Sequence, residues 1–207
     1  LRELGIGEDD CIGVALQNCP EFYELIGAAS TIGAKAVPVA WRLKQEEVRY
    51  LIADSGAKLV FHDHSSASQM AGLPAVSLDE YERLLAAAAP EPEVSGAGIR
   101  FNMELYSSGT TGRPKAIERS APTEAEMARL MSGSMNFLPI MGVGGPGEVH
   151  MMCGPLYHSQ PIGFSTQALN AGHRVVMMQG GFDAETCLAT IERERVTWIT
   201  CVPTHLF

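Results

Sequence analysis

Short apolar runs and amphipathic stretches take turns along this chain, and that rhythm restricts it to a narrow set of folds. Residues 11–16 (CIGVAL) read as a buried strand. Pro20 then opens a segment in which Phe22, Leu25, Ile26 and Ala29 recur at helical spacing. Residues 36–40 form the next strand, and 46–53 carry Val48, Leu51 and Ile52 on one helical face until Ser55-Gly56 stops them. The unit repeats through strands at 58–61 and 75–78 and a helix at 79–89, which Asp79 is placed to cap. After the connector PEPEVSGAG at 90–98, strands at 99–106, 148–153, 174–178 and 196–202 alternate with helices at 122–137 and 183–195, the last capped by Asp183. Strands joined by helices of this length imply an α/β fold, with mainly parallel strands in layered sheets and flanking helices. The connector divides the chain into a first βα subdomain, 1–95, and a second, 96–207.

Charge and cysteine usage exclude several roles. Lys and Arg number 15 against 24 Asp and Glu, a net charge of −9, so there is no general basic surface for a nucleic acid partner. No uninterrupted apolar run reaches the roughly 18 residues a transmembrane helix needs. The five cysteines are scattered with no CxxC pair, which argues against a disulfide framework or zinc site and for a reducing, cytoplasmic setting. His62 and His64 alternate as a metal pair would, but with no third ligand nearby they read as a strand terminus. The methionines at 151, 152, 177 and 178 and Tyr157 read as core, and residues 192–195 (ERER) as a solvated helix end.

The segment YSSGTTGRPKA, 106–116, carries the chemistry. Two glycines and four hydroxyl residues between Ser107 and Gly112 allow backbone N–H groups to converge on an anion, with hydroxyls free to meet a metal ion. Lys115, one of only four lysines, adds a point charge behind Pro114. The pattern is not a Walker A loop, since Pro114 and Ala116 break it, and the G-x-G-x-x-G at 142–147 precedes a strand rather than a helix. From composition alone an ordinary polar connector stays open.

The same residues resemble the phosphate loop of the AMP-forming adenylating superfamily, which includes acyl-CoA synthetases, aryl-CoA ligases and peptide-synthetase adenylation domains. The segment Gly154-Pro-Leu-Tyr-His158 resembles that family's P-L-[FY]-H motif, and Val202-Pro203-Thr204 its V-P-[TS] motif. Residues 13–40 resemble its N-P-E-F helix and G-A-x-x-V-P segment. The resemblance implies a fragment of the large N-terminal domain of an ATP-dependent acyl-CoA ligase acting on a fatty or other hydrophobic acid. Its substrates would be a small carboxylic acid, ATP with Mg²⁺, and coenzyme A. Ser107, Ser108, Gly109, Thr110, Thr111 and Gly112 would wrap the β- and γ-phosphates, Thr110 would meet Mg²⁺, and Lys115 would stabilise the departing pyrophosphate. His158 would border the acyl pocket as a gate. Ala116 departs from the family's glycine, and no Y-G-x-T-E segment is present, so the fragment alone is expected to be inactive. Three alternatives stay open: an aryl-acid ligase, a peptide-synthetase adenylation domain, or a non-catalytic nucleotide- or partner-binding module. An open sheet edge also offers a route to a homodimer.

Overall fold

The alternation predicted from the sequence is realised as parallel sheet in a computed structural model, which describes residues 1–88, 102–107, 114–117, 138–145 and 147–206. The chain forms two compact units, Leu1–Ile117 and Glu118–Phe207. The expected division at 95/96 falls outside the described residues. Residues 102–105 stay with the first unit because Ala36 N–H donates to the Asn102 carbonyl (2.9 Å) and Glu104 N–H to the Ala36 carbonyl (3.0 Å).

The first unit rests on four parallel strands, β1 (Cys11–Ala15), β2 (Lys35–Pro38), β3 (Ala57–His62) and β4 (Ala75–Ser77), ordered β2-β1-β3-β4. β1 is central and buried at all five positions, which is why its sequence is continuously apolar. Between β1 and β2 runs α1 (Pro20–Thr31), started by Pro20, whose fixed φ suits a first helical turn and whose missing N–H costs nothing there. It buries Phe22, Tyr23, Leu25, Ile26 and Ala29. α2 (Gln45–Ser55) begins where the Glu47 carboxylate accepts from Lys44 N–H (2.8 Å) and ends at Gly56, whose φ of 67° is the left-handed cap that glycine tolerates. Its apolar face, Val48, Leu51 and Ile52, packs on Cys11, Ala15, Val37 and Val60. Gly13 lets that helix approach: a Cβ there would lie 3.0 Å from Ile52 Cδ1 and 3.1 Å from Val60 Cγ1.

α3 (Leu78–Ala87) corrects one expectation. Its cap is Ser77, whose hydroxyl accepts from Glu80 N–H (3.3 Å), while Asp79 sits inside the first turn. The strand expected over 99–106 is also shorter: among the described residues Met103 makes an isolated parallel bridge to Ala36, and only Tyr106–Ser107 forms a strand, β5. β5 pairs antiparallel with β6 (Lys115–Ala116).

The second unit holds β7 (Val149–Met152), β8 (Arg174–Met177) and β9 (Trp198–Thr200), all parallel and ordered β8-β7-β9. β7 is fully buried, and its side chains alternate between two faces. Met151 and Cys153 join Met178 and Cys187 on one face. On the other, His150 stacks on Trp198 at 3.8 Å. α4 (Ser159–Asn170) joins β7 to β8, and α5 (Ala184–Glu194) joins β8 to β9. Asp183 caps α5 as expected, accepting from Thr186 N–H at 2.8 Å. The expected helix at 122–137 lies outside the described residues.

Candidate active site

The described residues expected to carry the chemistry fall in two stretches, one in each unit. In the first, β5 and β6 set Tyr106 opposite Ala116 and Ser107 opposite Lys115, and Ile117 N–H donates to the Leu105 carbonyl (2.8 Å) to extend the ladder. The Ser107 hydroxyl adds a bond to the Lys115 carbonyl at 3.3 Å. The two ends of the S-S-G-T-T-G-R-P-K segment are therefore held side by side, with Ser107 and Lys115 both exposed to solvent. Ser108, Gly109, Thr110, Thr111 and Gly112 lie outside the described residues.

The ladder is anchored from below by residues that the motif does not include. Tyr106 donates its phenolic O–H to Asp54 on α2 at 2.8 Å and stands 3.4 Å from Glu104. Partial burial, reinforced by the hydrogen bond to Asp54 and the charges of Asp54 and Glu104, pushes the Tyr106 phenol above its ordinary range and keeps it a donor. Glu104 in turn pairs with Lys35 of β2 at 3.8 Å. A strand start fixed to both α2 and β2 gives the segment a rigid foot. The signal in the sequence is faint: Asp54 and Glu104 are 52 and 2 residues from Tyr106, and only the fold brings the first of them near.

In the second unit His158 is the N-cap residue of α4, and its imidazole makes no capping bond. Its N–H donates to the Pro155 carbonyl (3.1 Å), closing the turn Gly154–His158, and its ring lies 4.6 Å from that of Tyr157. The ring is exposed, yet enough protein surrounds it to lower its pKa by desolvation, favouring the neutral imidazole. Tyr157 is half-buried rather than core. Gly154 is required by the turn: a Cβ there would sit 2.8 Å from Pro161 Cγ in the first turn of α4.

His62 ends β3 and His64 follows it; both border a shallow recess of about 140 Å³ with Asp63, Ser77, Leu78 and Asp79. Asp63 is occupied structurally, accepting from Gln17 N–H (2.6 Å) and Ser65 N–H (2.8 Å). Among the described residues no three His, Cys, Asp or Glu side chains are arranged to hold a metal ion. Met151, Met152 and Met178 are buried core, as expected, and Met177 is half-buried. Glu194 is more than a solvated helix end, since it pairs with Arg174 (2.6 Å) and Arg193 (2.9 Å), which together hold its carboxyl below the ordinary range. No helix among the described residues is long and apolar enough to cross a membrane.

Comparison with known proteins places the chain among its relatives. The family described as AMP-binding enzyme matches residues 1–206. A feruloyl-CoA synthase from Amycolatopsis sp. is 29% identical over 206 residues, covering 99% of this chain and 40% of that protein. Long-chain-fatty-acid–CoA ligase FadD13 of Mycobacterium tuberculosis is 36% identical over 129 residues, covering 56% of this chain and 26% of the ligase. The inhibitor-bound N-terminal domain of FACL13 from Mycobacterium tuberculosis superposes with a TM-score of 0.78 at 27% identity, over 99% of this chain and 52% of that one. The chain thus spans well under half the length of these curated relatives.

Proposed function

Because the chain belongs to the AMP-binding enzyme family, we propose that the protein is an ATP-dependent acid–CoA ligase. The observation that carries this reading is the β5–β6 ladder, which holds an exposed Ser107 beside an exposed Lys115 at the two ends of the segment that resembles a phosphate loop. Both side chains are open to solvent, and a hydroxyl and an ammonium are groups that pair with phosphate oxygens.

In this reading a carboxylate oxygen of the acid attacks the α-phosphorus of ATP, and the bond to the bridging oxygen of pyrophosphate breaks. The thiol of coenzyme A then attacks the acyl carbon and AMP departs. Neither step needs a protein nucleophile, so the chain's task is to position groups and balance charge. Ser107, Ser108, Gly109, Thr110, Thr111 and Gly112 hold the β- and γ-phosphates, and Lys115 balances the negative charge as pyrophosphate leaves. Thr110 would be the residue to offer a hydroxyl to the Mg²⁺ that accompanies ATP, which would supply charge neutralisation on the phosphates. With a net charge of −9 the chain has no diffuse basic surface, so affinity for a polyanion rests on backbone N–H groups, Lys115 and the metal. His158, neutral and at a helix start, borders the acyl group as a gate.

The acid is proposed to be hydrophobic, and the named relatives, a feruloyl-CoA synthase and a long-chain-fatty-acid ligase, define the panel on which to test it. The five free cysteines support a reducing, cytoplasmic setting. The test is product analysis of the full-length protein with ATP, Mg²⁺, coenzyme A and a panel of long-chain and aryl acids. Acyl-CoA and AMP appearing in equal amounts support the reading. Release of ADP, or AMP formation indifferent to every acid, overturns it.

A further inference from the structure

The second unit gathers three of the five cysteines on one face of its sheet, and nothing in the proposed ligase chemistry uses them. β7 and β9 run parallel with Met152 opposite Thr200. The bond from Cys153 N–H to the Thr200 carbonyl (3.1 Å) carries that register one residue further, which sets Cys153 opposite Cys201. Their side chains share the face that holds Met151 and Ile199. Neighbouring strands lie about 4.8 Å apart, inside the roughly 4.4–6.8 Å Cα window of disulfides. Cys187 projects onto the same face from α5 and packs in the same core cluster as Cys153.

We propose that Cys153, Cys187 and Cys201 form an oxidant-responsive thiol site, in which a hydroperoxide oxidises Cys201 and Cys153 captures the product as an intramolecular disulfide. Accessibility sets the order. Cys153 and Cys187 are 7% and 6% exposed, while Cys201 is half-buried at the strand end and is the member an oxidant meets first. Burial, with the neighbouring Cys187 thiol, pushes Cys153 up to about 12, so it reacts slowly with free oxidant, whereas a sulfenic acid at the neighbouring strand position is held beside it at high effective concentration.

In the first step the Cys201 sulfur attacks a peroxide oxygen, the O–O bond breaks, and a sulfenic acid and water form from hydrogen peroxide. The Cys153 sulfur then attacks the sulfenic sulfur; the S–O bond breaks, the S–S bond forms, and a second water leaves. Two electrons pass from the two thiols to the peroxide, and a thiol reductant returns them. Cys187, in contact with Cys153, can displace Cys201 by exchange and move the bridge inward. The bridge joins the ends of β7 and β9, where the chain departs toward Gly154–His158 and toward Val202. Gln160 Nε2 on α4 already bonds the Cys201 carbonyl there (3.3 Å), so oxidation stiffens the turn that presents His158.

The experiment exposes the folded protein to hydrogen peroxide, blocks remaining thiols, and maps linked peptides by mass spectrometry before and after reduction. A reducible, intramolecular linkage containing Cys153 is expected, together with about a tenfold or greater loss of that linkage in Cys201→Ser and a retained Cys153–Cys201 linkage in Cys187→Ser. A short peroxide pulse in the presence of a sulfenic-acid trap tests the unmodified sequence and does not depend on the variants folding; Cys201 is expected to be labelled before Cys153 and Cys187. Earlier labelling of Cys153 or Cys187, linkages only between molecules, or no linkage containing Cys153 overturns the proposal.

Discussion

Acidification should loosen the second unit through one buried histidine. His150 is fully buried on β7, stacked on Trp198 at 3.8 Å and 17°, with Nε2 3.0 Å from Thr200 Oγ1 and Nδ1 unpartnered. Burial, helped by nearby His173, lowers its pKa from 6.5 to about 4. The unfolded state therefore takes up a proton at a higher pH than the folded state does. Stability is intact above the unfolded value of 6.5, falls as pH drops toward the folded value, and levels off below about 4. A shift of this size corresponds to about 3 kcal/mol in all, of which about 2 kcal/mol is lost by pH 5. With a urea dependence of about 1–2 kcal/mol per molar, the unfolding midpoint should drop by about 1 M or more between pH 7.5 and 5. The carboxyls of Asp10, Asp183 and Glu194 are lowered, so their contribution is present above their ordinary values and lost only at still lower pH. Fluorescence of Trp198 in a Trp41→Phe background reports on the right unit, and His150→Leu removes the titrating group. A midpoint that does not move between pH 7.5 and 5, or a His150→Leu protein with the same pH slope as its parent, would refute the reasoning.

Three further outcomes follow from local geometry. Gly154→Ala places a methyl 2.8 Å from Pro161 Cγ and should cost about 1–3 kcal/mol in thermal unfolding, whereas Gly163→Ala, with nothing within 4 Å, should be neutral or stabilising. Ser77→Ala removes the cap of α3 and should cost about 1 kcal/mol by urea titration, more than Asp79→Ala, which reverses the order expected from sequence alone. Tyr106→Phe removes the donor that Asp54 and Glu104 share; it should lower stability by about 1 kcal/mol or less and raise the KM for ATP of the full-length protein several-fold while kcat falls less.

The parallel strands are legible in the sequence because burial on both faces favours apolar runs, unbroken in Cys11–Ala15 and interrupted only by His150 in Val149–Met152. α4 is not, and the reason is physical. Its sequence, SQPIGFSTQALN, is rich in residues with poor helix propensity; the helix is held by tertiary packing of Ile162 and Ala168, while Pro161 falls in the tolerant first turn and buried hydroxyls find partners in carbonyls one turn back. Thr166 Oγ1, for example, donates to the Ile162 carbonyl at 2.6 Å. The cap of α3 is misread for a related reason: Ser77 and Asp79 both suit an N-cap, and backbone geometry chooses between them. At the candidate site, the motif from Tyr106 to Lys115 is local and readable, while its anchors, Asp54 on α2 and Lys35 on β2, are tertiary neighbours that no spacing rule connects. The cysteine face is hidden in the same way, since Cys153, Cys187 and Cys201 converge only when β9 is laid beside β7.

The segment between Ser107 and Lys115 is proposed to bind the phosphates of ATP during activation of a carboxylic acid. Acid-dependent exchange of labelled pyrophosphate into ATP by the full-length protein tests it most directly, because exchange requires a reversible adenylation step and no coenzyme A. The account predicts exchange with a hydrophobic acid that falls by about tenfold or more in Lys115→Ala and Gly109→Ala, a loss of roughly 1.4 kcal/mol or greater in transition-state stabilisation. Exchange at the parent rate in both variants would contradict it.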